Sequence, residues 1–285
     1  MIHPVSHVAI VANTYAGKGR ALKVVDQLVE LLSAKSISFD IYIEAWPEDF
    51  TEHSDVFLVG GDGTLNHFIN RYPDFNKPMT LFKGGSGNDF AWKLYRELTN
   101  EEIFQKALHT ECRPVDAGIC NGRYFLNGVG IGFDGNIVKA MKGKKLISAG
   151  HIAYMFAVVR SVLFYLEKRA AIFFNEESIE ERFFMITVAN GERYGGGFRV
   201  APGASINDQL LDIVTIGRID PIRRMYHLPK VASGRHLLLP FVKRYRSGEV
   251  IVQSKTPLTA HIDGEPSEEN EFRIRVLPGH FQFRY

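Results

Sequence analysis

Three short glycine-rich segments near the start of the chain combine a permissive backbone with charged or amide side chains. They are Asn13 to Gly19, Gly60-Gly61-Asp62-Gly63-Thr64, and Lys83 to Asp89. Each follows a short apolar run and precedes a helical pattern. Such a loop lets backbone N–H groups approach a ligand, and the helix dipole that follows favours an anion. The pattern predicts a phosphate site.

The flanking segments indicate how the three loops are brought together. The apolar runs read as strands and cover Val8 to Val11, Asp55 to Val59, and Met79 to Phe82. A helix is predicted after the first loop, with one apolar face formed by Leu22, Val25, Val29 and Leu32. Strands that alternate with helices imply a parallel sheet, whose ligands bind at the carboxyl ends of the strands. Lys18, Asp62, Asn88 and Asp89 are therefore expected in a nucleotide-phosphate site.

Two common nucleotide motifs are excluded by spacing. The chain has no G-x-x-x-x-G-K-[ST] segment, and Leu22 stands where a dinucleotide fingerprint needs its third glycine. A further group, Gly128, Gly130 and Gly132, lies in an extended apolar stretch. Close backbone packing explains that group at least as well as ligand binding.

Composition is that of an ordinary globular protein, with 285 residues, 45% hydrophobic residues and a formal net charge of +2. Two cysteines, Cys112 and Cys120, make no disulfide framework and favour a reducing compartment. The chain shows neither a signal-peptide pattern nor a long uncharged apolar run. We therefore predict a cytoplasmic protein that associates peripherally with membranes.

The membrane prediction depends on two basic clusters. From Arg218 to Arg246 the sequence contains eight basic residues and a single acidic one, Asp220. A second cluster comprises Lys139, Lys142, Lys144 and Lys145. A solvated face is one interpretation. Attraction to an anionic membrane surface is the other, worth about 1 kcal/mol per basic residue near the bilayer. Nucleic-acid motifs are lacking, so no nucleic-acid partner is predicted.

The pattern changes near residue 114, which predicts a second domain. Asn121-Gly122 is expected to turn a hairpin, and further strands are expected at 170–174, 183–189, 211–216, 250–253 and 258–262. One helix should begin after Asp220-Pro221. The predicted fold is an α/β domain with a parallel sheet at 1–116, joined by the extreme C-terminus at 278–285. A mostly antiparallel β-sandwich follows at 117–277, with a cleft between the domains as the usual place for a site.

Two polar segments in the second domain allow more than one interpretation. His261 to Pro266 places Asp263 and Glu265 around a glycine, which fits a plain Asp-Gly turn or an acidic pair. Asn207 to Asp212 is either a turn before a strand or a cation loop that uses Asp208 and nearby carbonyls. The residues alone do not decide either case.

With these motifs assembled, the chain resembles the diacylglycerol kinase and sphingosine kinase superfamily, especially its stand-alone bacterial lipid kinases. The resemblance covers essentially the whole length. It rests on four motifs in the family's order and spacing, namely Gly60 to Asn66, Gly85 to Ala91, Val115 to Gly118, and Asp263 to Glu265. It implies an α/β domain that binds ATP and a C-terminal β-sandwich that binds a lipid.

The resemblance also implies roles for individual residues. It assigns the nucleotide site to Asn13, Gly17, Lys18, Gly60, Gly61, Asp62, Gly63, Thr64, Ser86, Asn88, Asp89 and Asp116. Within this set Asp62, Asp89 and Asp116 would form, with Lys18, an acidic network near a catalytic Mg²⁺. Asp263 would act as general base on the acceptor hydroxyl, with Glu265 beside it. Asp208 would match a structural magnesium loop, with carbonyls near Ser205 and Leu210.

The expected activity is ATP- and Mg²⁺-dependent phosphorylation of a lipid hydroxyl, with diacylglycerol or a sphingoid lipid as acceptor. Two alternatives remain, a soluble-substrate kinase of the NAD kinase type and a non-catalytic nucleotide- or lipid-binding regulator. Oligomeric state stays open, with a homodimer among the options. The chain departs from the family pattern at Thr14, where proline is usual, and at His67, where glutamate is usual.

Overall fold

The structure is a computed structural model that describes residues 4–14, 16–141, 159 and 161–285, without the side chains of Ala16, Lys18 and Leu228. By its internal contacts the chain divides into two compact units. The first comprises Met1–Ala117 and Pro278–Tyr285, and the second comprises Gly118–Leu277. The two-domain architecture expected from the sequence is confirmed.

The first unit is built on a parallel sheet. Its strands are β1 (His7–Ala12), β2 (Ser38–Ile43), β3 (Asp55–Gly60) and β4 (Pro78–Lys83). β1 lies between β2 and β3, β3 pairs with β4, and residues 282–283 pair with β4. Every one of these pairings is parallel. β1 is buried from its second residue and β3 throughout, as expected for central strands covered on both faces.

Four helices accompany this sheet, namely α1 (Arg20–Ala34), α2 (Asp62–Arg71), α3 (Asp89–Tyr95) and α4 (Asn100–His109). The predicted apolar face of α1 was partly wrong. Leu22 is 37% exposed, and the buried residues are Ala21, Val24, Val25, Leu28 and Leu32. Ala21 lies against the third loop, where a Cβ at Gly84 would be 3.3 Å from it, so the buried stripe of α1 includes Ala21 and not Leu22.

The extreme C-terminus belongs to the first unit and is anchored there by polar contacts. The Arg284 guanidinium forms a buried ion pair with Asp55, with Nε 2.5 Å from Oδ1, and donates to the Thr110 carbonyl at 2.7 Å. Asp116 accepts the Gly279 N–H at 2.7 Å. Loss of either partner of the buried ion pair would leave an uncompensated charge, so these contacts hold the C-terminal segment in the first unit.

The second unit is antiparallel. Its strands are β5 (Cys112–Cys120, which begins in the first unit), β6 (Arg123–Phe125), β7 (Gly128–Gly132), β8 (Lys168–Phe174), β9 (Glu177–Ala189), β10 (Leu211–Gly217), β11 (Val242–Ser247), β12 (Glu249–Ile262) and β13 (Glu265–Arg284, which ends in the first unit). Its helices are α5 (Phe133–Met141) and α6 (Pro221–Ala232). The strand order is β11-β10-β9-β7-β12-β13, with β8 beside β9 and β12. The two predicted strands at 250–253 and 258–262 form one strand, β12, with an irregularity between Gln253 and Leu258.

Two hairpins in this unit use the same turn chemistry. Asn121 and Gly122 have φ of 47° and 84°, and Asp263 and Gly264 have φ of 46° and 85°. Two consecutive positive φ values define the type I′ turn, which Asn-Gly and Asp-Gly favour. The predicted Asn121-Gly122 hairpin is confirmed by the Cys120–Arg123 pairing. The predicted start of α6 is also confirmed, because Asp220 caps it and Pro221 opens it.

Candidate functional site

The three glycine loops of the first unit touch one another. A Cβ at Gly17 would lie 2.2 Å from the Gly84 oxygen, and a Cβ at Gly85 would lie 2.2 Å from the Gly61 Cα. The Gly84 N–H also donates to the Gly60 carbonyl at 2.9 Å. Only glycine allows these backbones so close together. The loops predicted at the carboxyl ends of β1, β3 and β4 therefore form one continuous backbone surface.

Asp62 is the unexpected acidic residue of this surface, and its contacts explain it. Its Oδ2 accepts the Asp89 N–H at 3.0 Å, and its Oδ1 accepts the Phe90 N–H at 2.9 Å. These two N–H groups belong to the first turn of α3, so Asp62 caps that helix from the neighbouring loop. Sequence reasoning gave Asp62 a lysine or a magnesium ion as partner and missed this cap.

The other two helix N-termini at the loops differ from α3. α1 begins after Gly19 and α2 begins after Gly61, and neither has a side-chain cap among the described residues. Uncapped first-turn N–H groups and the helix dipole together attract anions. The start of α2, with Gly63 and the buried Thr64, therefore has the local features of an anion-binding helix N-terminus.

The third loop is shaped by Asn88 and leaves Ser86 exposed. The Asn88 side chain accepts the Gly85 N–H and donates to the Gly85 carbonyl, both at 2.9 Å. Asn88 has φ of 52° and directly precedes α3. In this structure its side chain closes the loop through these two hydrogen bonds. The Ser86 hydroxyl lies 3.5 Å from the guanidinium of Arg20.

Arg20 is a site residue that sequence reasoning missed. Its Nε donates to the Gly17 carbonyl at 3.1 Å, and its Nη2 reaches Ser86, so one guanidinium spans the first and third loops. A planar guanidinium is well suited to bind phosphate oxygens. The available signal was its position directly after Gly17-Lys18-Gly19 at the start of a helix.

The two departures from the family pattern have identifiable partners. The Thr14 hydroxyl donates to the Glu44 carboxylate. The His67 ring packs on Trp46, with ring centroids 5.0 Å apart, while the Trp46 indole N–H donates to the Ala12 carbonyl at 3.1 Å. Neighbouring side chains therefore accommodate both Thr14 and His67.

The other residues predicted for the nucleotide site are placed as follows. Asn13 follows β1 and is partly buried, and Lys18 lies in a 3₁₀ turn, Ala16–Gly19, with its side chain outside the described part. Asp89 opens α3 and Asp116 lies on β5, each 2% exposed. Carboxylates are hard oxygen donors that Mg²⁺ takes, usually one or two of them together with phosphate oxygens and water. Among the described residues, Asp62, Asp89 and Asp116 do not bring three ligand atoms within 4.8 Å of one another. Their chemistry suits a Mg²⁺ held through one or two carboxylates, while the predicted three-carboxylate network is not formed.

In the second unit, Asp263 is held by backbone groups. Its Oδ2 accepts the Leu126 N–H at 2.8 Å, and its Oδ1 accepts the N–H groups of Asn127 at 3.1 Å and Gly128 at 2.8 Å. These bonds fix the Asp263-Gly264 turn against the segment that enters β7. Glu265 follows as the first residue of β13 and is partly buried. The contacts support a structural role for Asp263 in an Asp-Gly turn, one of the two interpretations that the residues alone left open.

A buried polar cluster close to that turn was also missed. Asp134, at the start of α5, accepts the Tyr194 hydroxyl, which lies 3.0 Å from the Thr187 hydroxyl. The His261 ring packs edge-on against Tyr194 at 4.8 Å, and its Nδ1 accepts the Gly264 N–H at 3.3 Å. A Cβ at Gly130 would lie within 3 Å of Asp134, Tyr194 and His261 atoms, so glycine is required for the cluster to close.

Burial perturbs the titration of this cluster. It raises the pKa of Asp134 to about 6, partly offset by the Tyr194 hydrogen bond, and lowers the pKa of His261 to about 4. It also raises the pKa of Tyr194 well above 10, helped by the negative charge of Asp134. Such shifts cluster at functional sites, although buried structural networks produce them too. No sequence signal links residues so far apart along the chain.

We predict opposite pH responses for two variants of this cluster. Between pH 3.8 and about 6 the folded Asp134 keeps a proton that the unfolded chain releases, so Asp134 makes stability fall as pH rises. Between about pH 4 and 6.5 the unfolded His261 takes up a proton that the folded state excludes, so His261 makes stability rise with pH. Relative to the parent, the free energy of unfolding of Asp134→Asn should therefore change more positively as pH rises. That of His261→Gln should change more negatively. Each slope approaches about 1.4 kcal/mol per pH unit in urea unfolding, and slopes equal to the parent's would contradict the assignment.

The Asp208 loop does not fit a magnesium ion. The Asp208 carboxylate forms an ion pair with the Arg246 guanidinium and accepts the Leu210 N–H at 3.2 Å, while the Ser205 hydroxyl donates to Asn207 at 2.8 Å. The segment Asn207 to Asp212 offers two carboxylates, Asp208 and Asp212, and the Arg246 guanidinium already pairs with both. The expectation of a metal at Asp208, Ser205 and Leu210 is therefore not supported by the contacts of this loop.

We accordingly expect the Asp208 loop to be insensitive to magnesium. Added Mg²⁺ should leave the melting temperature of the metal-free parent unchanged, because Arg246 supplies the positive charge. Arg246→Met should lower the melting temperature and make it rise with added Mg²⁺, since Asp208 would then need a cation. Calorimetry with Lys255→Met as the control measures this, and a rise with Mg²⁺ in the parent that Asp208→Asn abolishes would show that the loop binds the ion.

The basic stretch at 218–246 is less uniform than its sequence indicates. Arg224 is buried and pairs with Glu167 at 2.5 Å. Lys243, Arg244 and Arg246 pair with acidic side chains at Glu181, Asp212 and Asp208. The exposed basic residues on and around α6 are Arg218, Arg223 and Arg235. Of the second predicted cluster, Lys139 pairs with Glu268, and Lys142, Lys144 and Lys145 lie outside the described residues.

Comparisons with known proteins agree with the division of the chain into two domains. A family described as the diacylglycerol kinase catalytic domain matches residues 7–120, and one described as the YegS C-terminal NAD kinase beta sandwich-like domain matches residues 127–284. A Bacillus subtilis (strain 168) protein named diacylglycerol kinase is 26% identical over 237 residues, which cover 79% of this chain and 73% of that protein. A Chromohalobacter salexigens protein named "Probable lipid kinase YegS-like" is 28% identical over 230 residues, with 79% and 73% covered. The fold resembles a solved diacylglycerol kinase from Bacillus anthracis str. Sterne, with a TM-score of 0.75, 20% identity, and 99% and 98% of the two chains covered.

Proposed function

Because the chain belongs to the diacylglycerol kinase and sphingosine kinase superfamily, among its stand-alone bacterial-type lipid kinases, we propose that it transfers the γ-phosphate of ATP to a lipid hydroxyl. Diacylglycerol is the first candidate acceptor and a sphingoid lipid the second. The observation that carries the proposal is the joined backbone surface of the three glycine loops, where Gly17 meets Gly84 and Gly61 meets Gly85. A continuous surface of this kind suits a triphosphate better than three independent turns do.

In this proposal the first unit binds the nucleotide. The uncapped start of α2, with Gly61, Gly63 and Thr64, would hold phosphate oxygens through backbone N–H groups. Ser86 and Arg20 would bind the same triphosphate from the third and first loops. The contact between the Arg20 guanidinium and the Ser86 hydroxyl supports this assignment. Asp62 would act indirectly, by holding the first turn of α3 and so the third loop in place.

Asp89 and Asp116 would hold Mg²⁺ together with phosphate oxygens and water, with Lys18 nearby. The ion would supply charge neutralisation, which a loose phosphoryl-transfer transition state needs more than it needs a strong base. Asp62 contributes less directly in this scheme, because both of its oxygens already accept N–H groups.

The second unit would supply the group that accepts the hydroxyl proton. Asp263 is proposed for this role, with Glu265 beside it. A carboxylate is a weak base toward an alcohol, so the proton would move late, as the new O–P bond forms. The three backbone N–H groups bound to Asp263 would hold its carboxylate in a fixed direction for that step.

We further propose that α6 and the turn after it contact an anionic membrane. Ile222 and Tyr226 lie one helical turn apart and are 78% and 72% exposed, and Leu238 is 87% exposed. Arg223 and Arg235 lie beside these apolar side chains in the chain and are exposed as well. Exposed apolar groups flanked by basic ones suit an interface with anionic lipid. No helix among the described residues is long and apolar enough to cross a bilayer.

A labelled-ATP assay tests the proposal. The full chain is incubated with Mg²⁺ and a panel of acceptors in mixed micelles, namely diacylglycerol, monoacylglycerol, sphingosine, ceramide and phosphatidylglycerol, with NAD as a soluble control. We expect one lipid to be labelled well above the others and NAD to stay unlabelled. Labelled NAD without labelled lipid would favour a soluble-substrate kinase. ATP binding without any labelled product would favour a non-catalytic binder.

A further inference from the structure

Three side chains in the first unit converge at the end of the sheet opposite to the glycine loops. His7 is the first residue of β1, Asp40 lies near the start of β2, and His53 precedes β3. The Nε2 atoms of His7 and His53 each lie 3.0 Å from Asp40 Oδ2. The ligand-type atoms of all three lie within 4.8 Å of one another. The nucleotide proposal uses none of these residues.

The tautomer of His7 is fixed by a backbone contact. Its Nδ1 lies 3.2 Å from the Glu52 carbonyl oxygen, which can only accept a hydrogen bond. Nδ1 must therefore donate to that carbonyl, and Nε2 faces Asp40 Oδ2, which can also only accept, so a proton or a metal ion must lie between these two atoms. Histidine ligands of metals are typically oriented in this way, with one nitrogen donating to a carbonyl and the other bound to the ion.

His53 is held rigidly by aromatic packing. Its side chain is 5% exposed and packs edge-on against Tyr42, at a centroid distance of 5.8 Å. The His7 ring lies over it at 4.6 Å, with the two ring planes tilted by 32°. Among the described residues, its Nδ1 is buried without a hydrogen-bond partner, so Nε2 makes the only polar contact of the ring. The ring cannot turn away from Asp40 without breaking this packing, which keeps the donor set assembled.

We propose that His7, Asp40 and His53 bind a divalent transition metal, with Zn²⁺ as the leading candidate. Two imidazoles and one carboxylate form a donor set that suits Zn²⁺ and is softer than the all-oxygen set of Mg²⁺ or Ca²⁺. Neighbouring ligand atoms of a tetrahedral zinc site lie roughly 3.3 Å apart, from bond lengths of about 2.0–2.1 Å. The separations of 3.0 Å already approach this spacing. A fourth position is left for water on the exposed side of Asp40.

Such an ion would act as a cross-link within the first unit. It would join the starts of β1 and β2 to the segment before β3, which is otherwise tied there by contacts such as the Ser54 N–H bond to the His7 carbonyl at 2.8 Å. Because an ion that binds only the folded state stabilises it, the melting temperature should rise with free Zn²⁺. The ion would not take part in phosphoryl transfer.

Zinc binding by the full chain, without a histidine tag, tests the proposal. The protein is freed of metal with a chelator, the chelator is removed, and Zn²⁺ is titrated by calorimetry at neutral pH without ATP. We expect one ion per chain and a higher melting temperature. His7→Gln and Asp40→Asn should each weaken binding by about tenfold or more and abolish the thermal shift. Both side chains are partly exposed, so these variants should fold, which thermal unfolding without metal verifies.

His109→Gln is the matched control, because this exposed histidine lies at the end of α4, away from the three ligands. It should bind zinc as the parent does. Absence of binding to the parent at micromolar Zn²⁺ would overturn the proposal. Unchanged affinity in both His7→Gln and Asp40→Asn would overturn it as well, since the ion would then lie elsewhere. Neither outcome affects the lipid-kinase proposal, because that activity is measured separately with Mg²⁺.

Discussion

Replacing Asp263 by asparagine is expected to reduce phosphoryl transfer by about 10²–10⁴-fold, the usual contribution of a positioned base. The same change should lower the free energy of unfolding by about 1–3 kcal/mol, because an amide cannot accept all of the N–H groups of Leu126, Asn127 and Gly128. ATP affinity should stay close to the parent's, since Asp263 belongs to the unit that is not proposed to bind the nucleotide. Initial rates with saturating lipid, urea unfolding and ATP titration measure the three quantities.

The combination of readouts separates the two roles of Asp263. A variant that is less stable yet transfers phosphate within tenfold of the parent's rate, below its melting temperature, would show that the residue only fixes the turn. Glu265→Gln is the neighbouring control. It leaves the Asp263-Gly264 turn intact, so it should retain the parent's stability while reporting any contribution of the second carboxylate.

Substituting Gly85 by alanine is expected to weaken ATP binding by about 100-fold or more. The new methyl group would lie 2.2 Å from the Gly61 Cα and 2.7 Å from the Gly61 nitrogen, so two backbone loops must move apart. Overpacking of this kind typically costs about 1–3 kcal/mol of stability as well. Nucleotide titration and thermal unfolding of the purified variant measure the two effects.

Gly63→Ala provides the matched control from the loop beside it. A Cβ at Gly63 meets nothing within 4 Å, and the residue lies in the first turn of α2, where alanine is the better helix former. The variant should fold at least as stably as the parent. If Gly63→Ala loses ATP affinity while its stability is kept, the phosphates approach that glycine directly. Parent-like ATP affinity in Gly85→Ala would remove the joined loops from the nucleotide site.

Local chemistry explains which features the sequence predicts well. Asn121-Gly122 specifies its own hairpin because both residues tolerate positive φ, and Asp220-Pro221 specifies the start of α6 through a cap and a fixed φ. The glycine loops are recognisable because each lies between a strand and a helix in the sequence. In each case the signal and the structure lie within a few residues of one another.

Contacts between distant residues explain what the sequence does not predict. The cap of α3 by Asp62, the pairing of Arg246 with Asp208, and the ion pair of Arg224 with Glu167 each join separate elements. The type of a side chain indicates what it can bind, but it does not indicate which residue the fold places beside it. Leu22 shows the same limit within a helix, because the neighbouring Ala21 is buried while the larger Leu22 is 37% exposed.

The central claim is that this chain moves a phosphoryl group from ATP to a lipid, and product formation tests it most directly. The parent, Asp263→Asn and Gly85→Ala are each incubated with labelled ATP, Mg²⁺ and diacylglycerol micelles, and the organic phase is separated and counted. We predict that label accumulates with time in a phosphorylated lipid for the parent and falls to near background for both variants. Equal label in all three proteins would contradict the roles assigned to Asp263 and Gly85. No labelled product with any lipid acceptor while ATP still binds would contradict the claim itself.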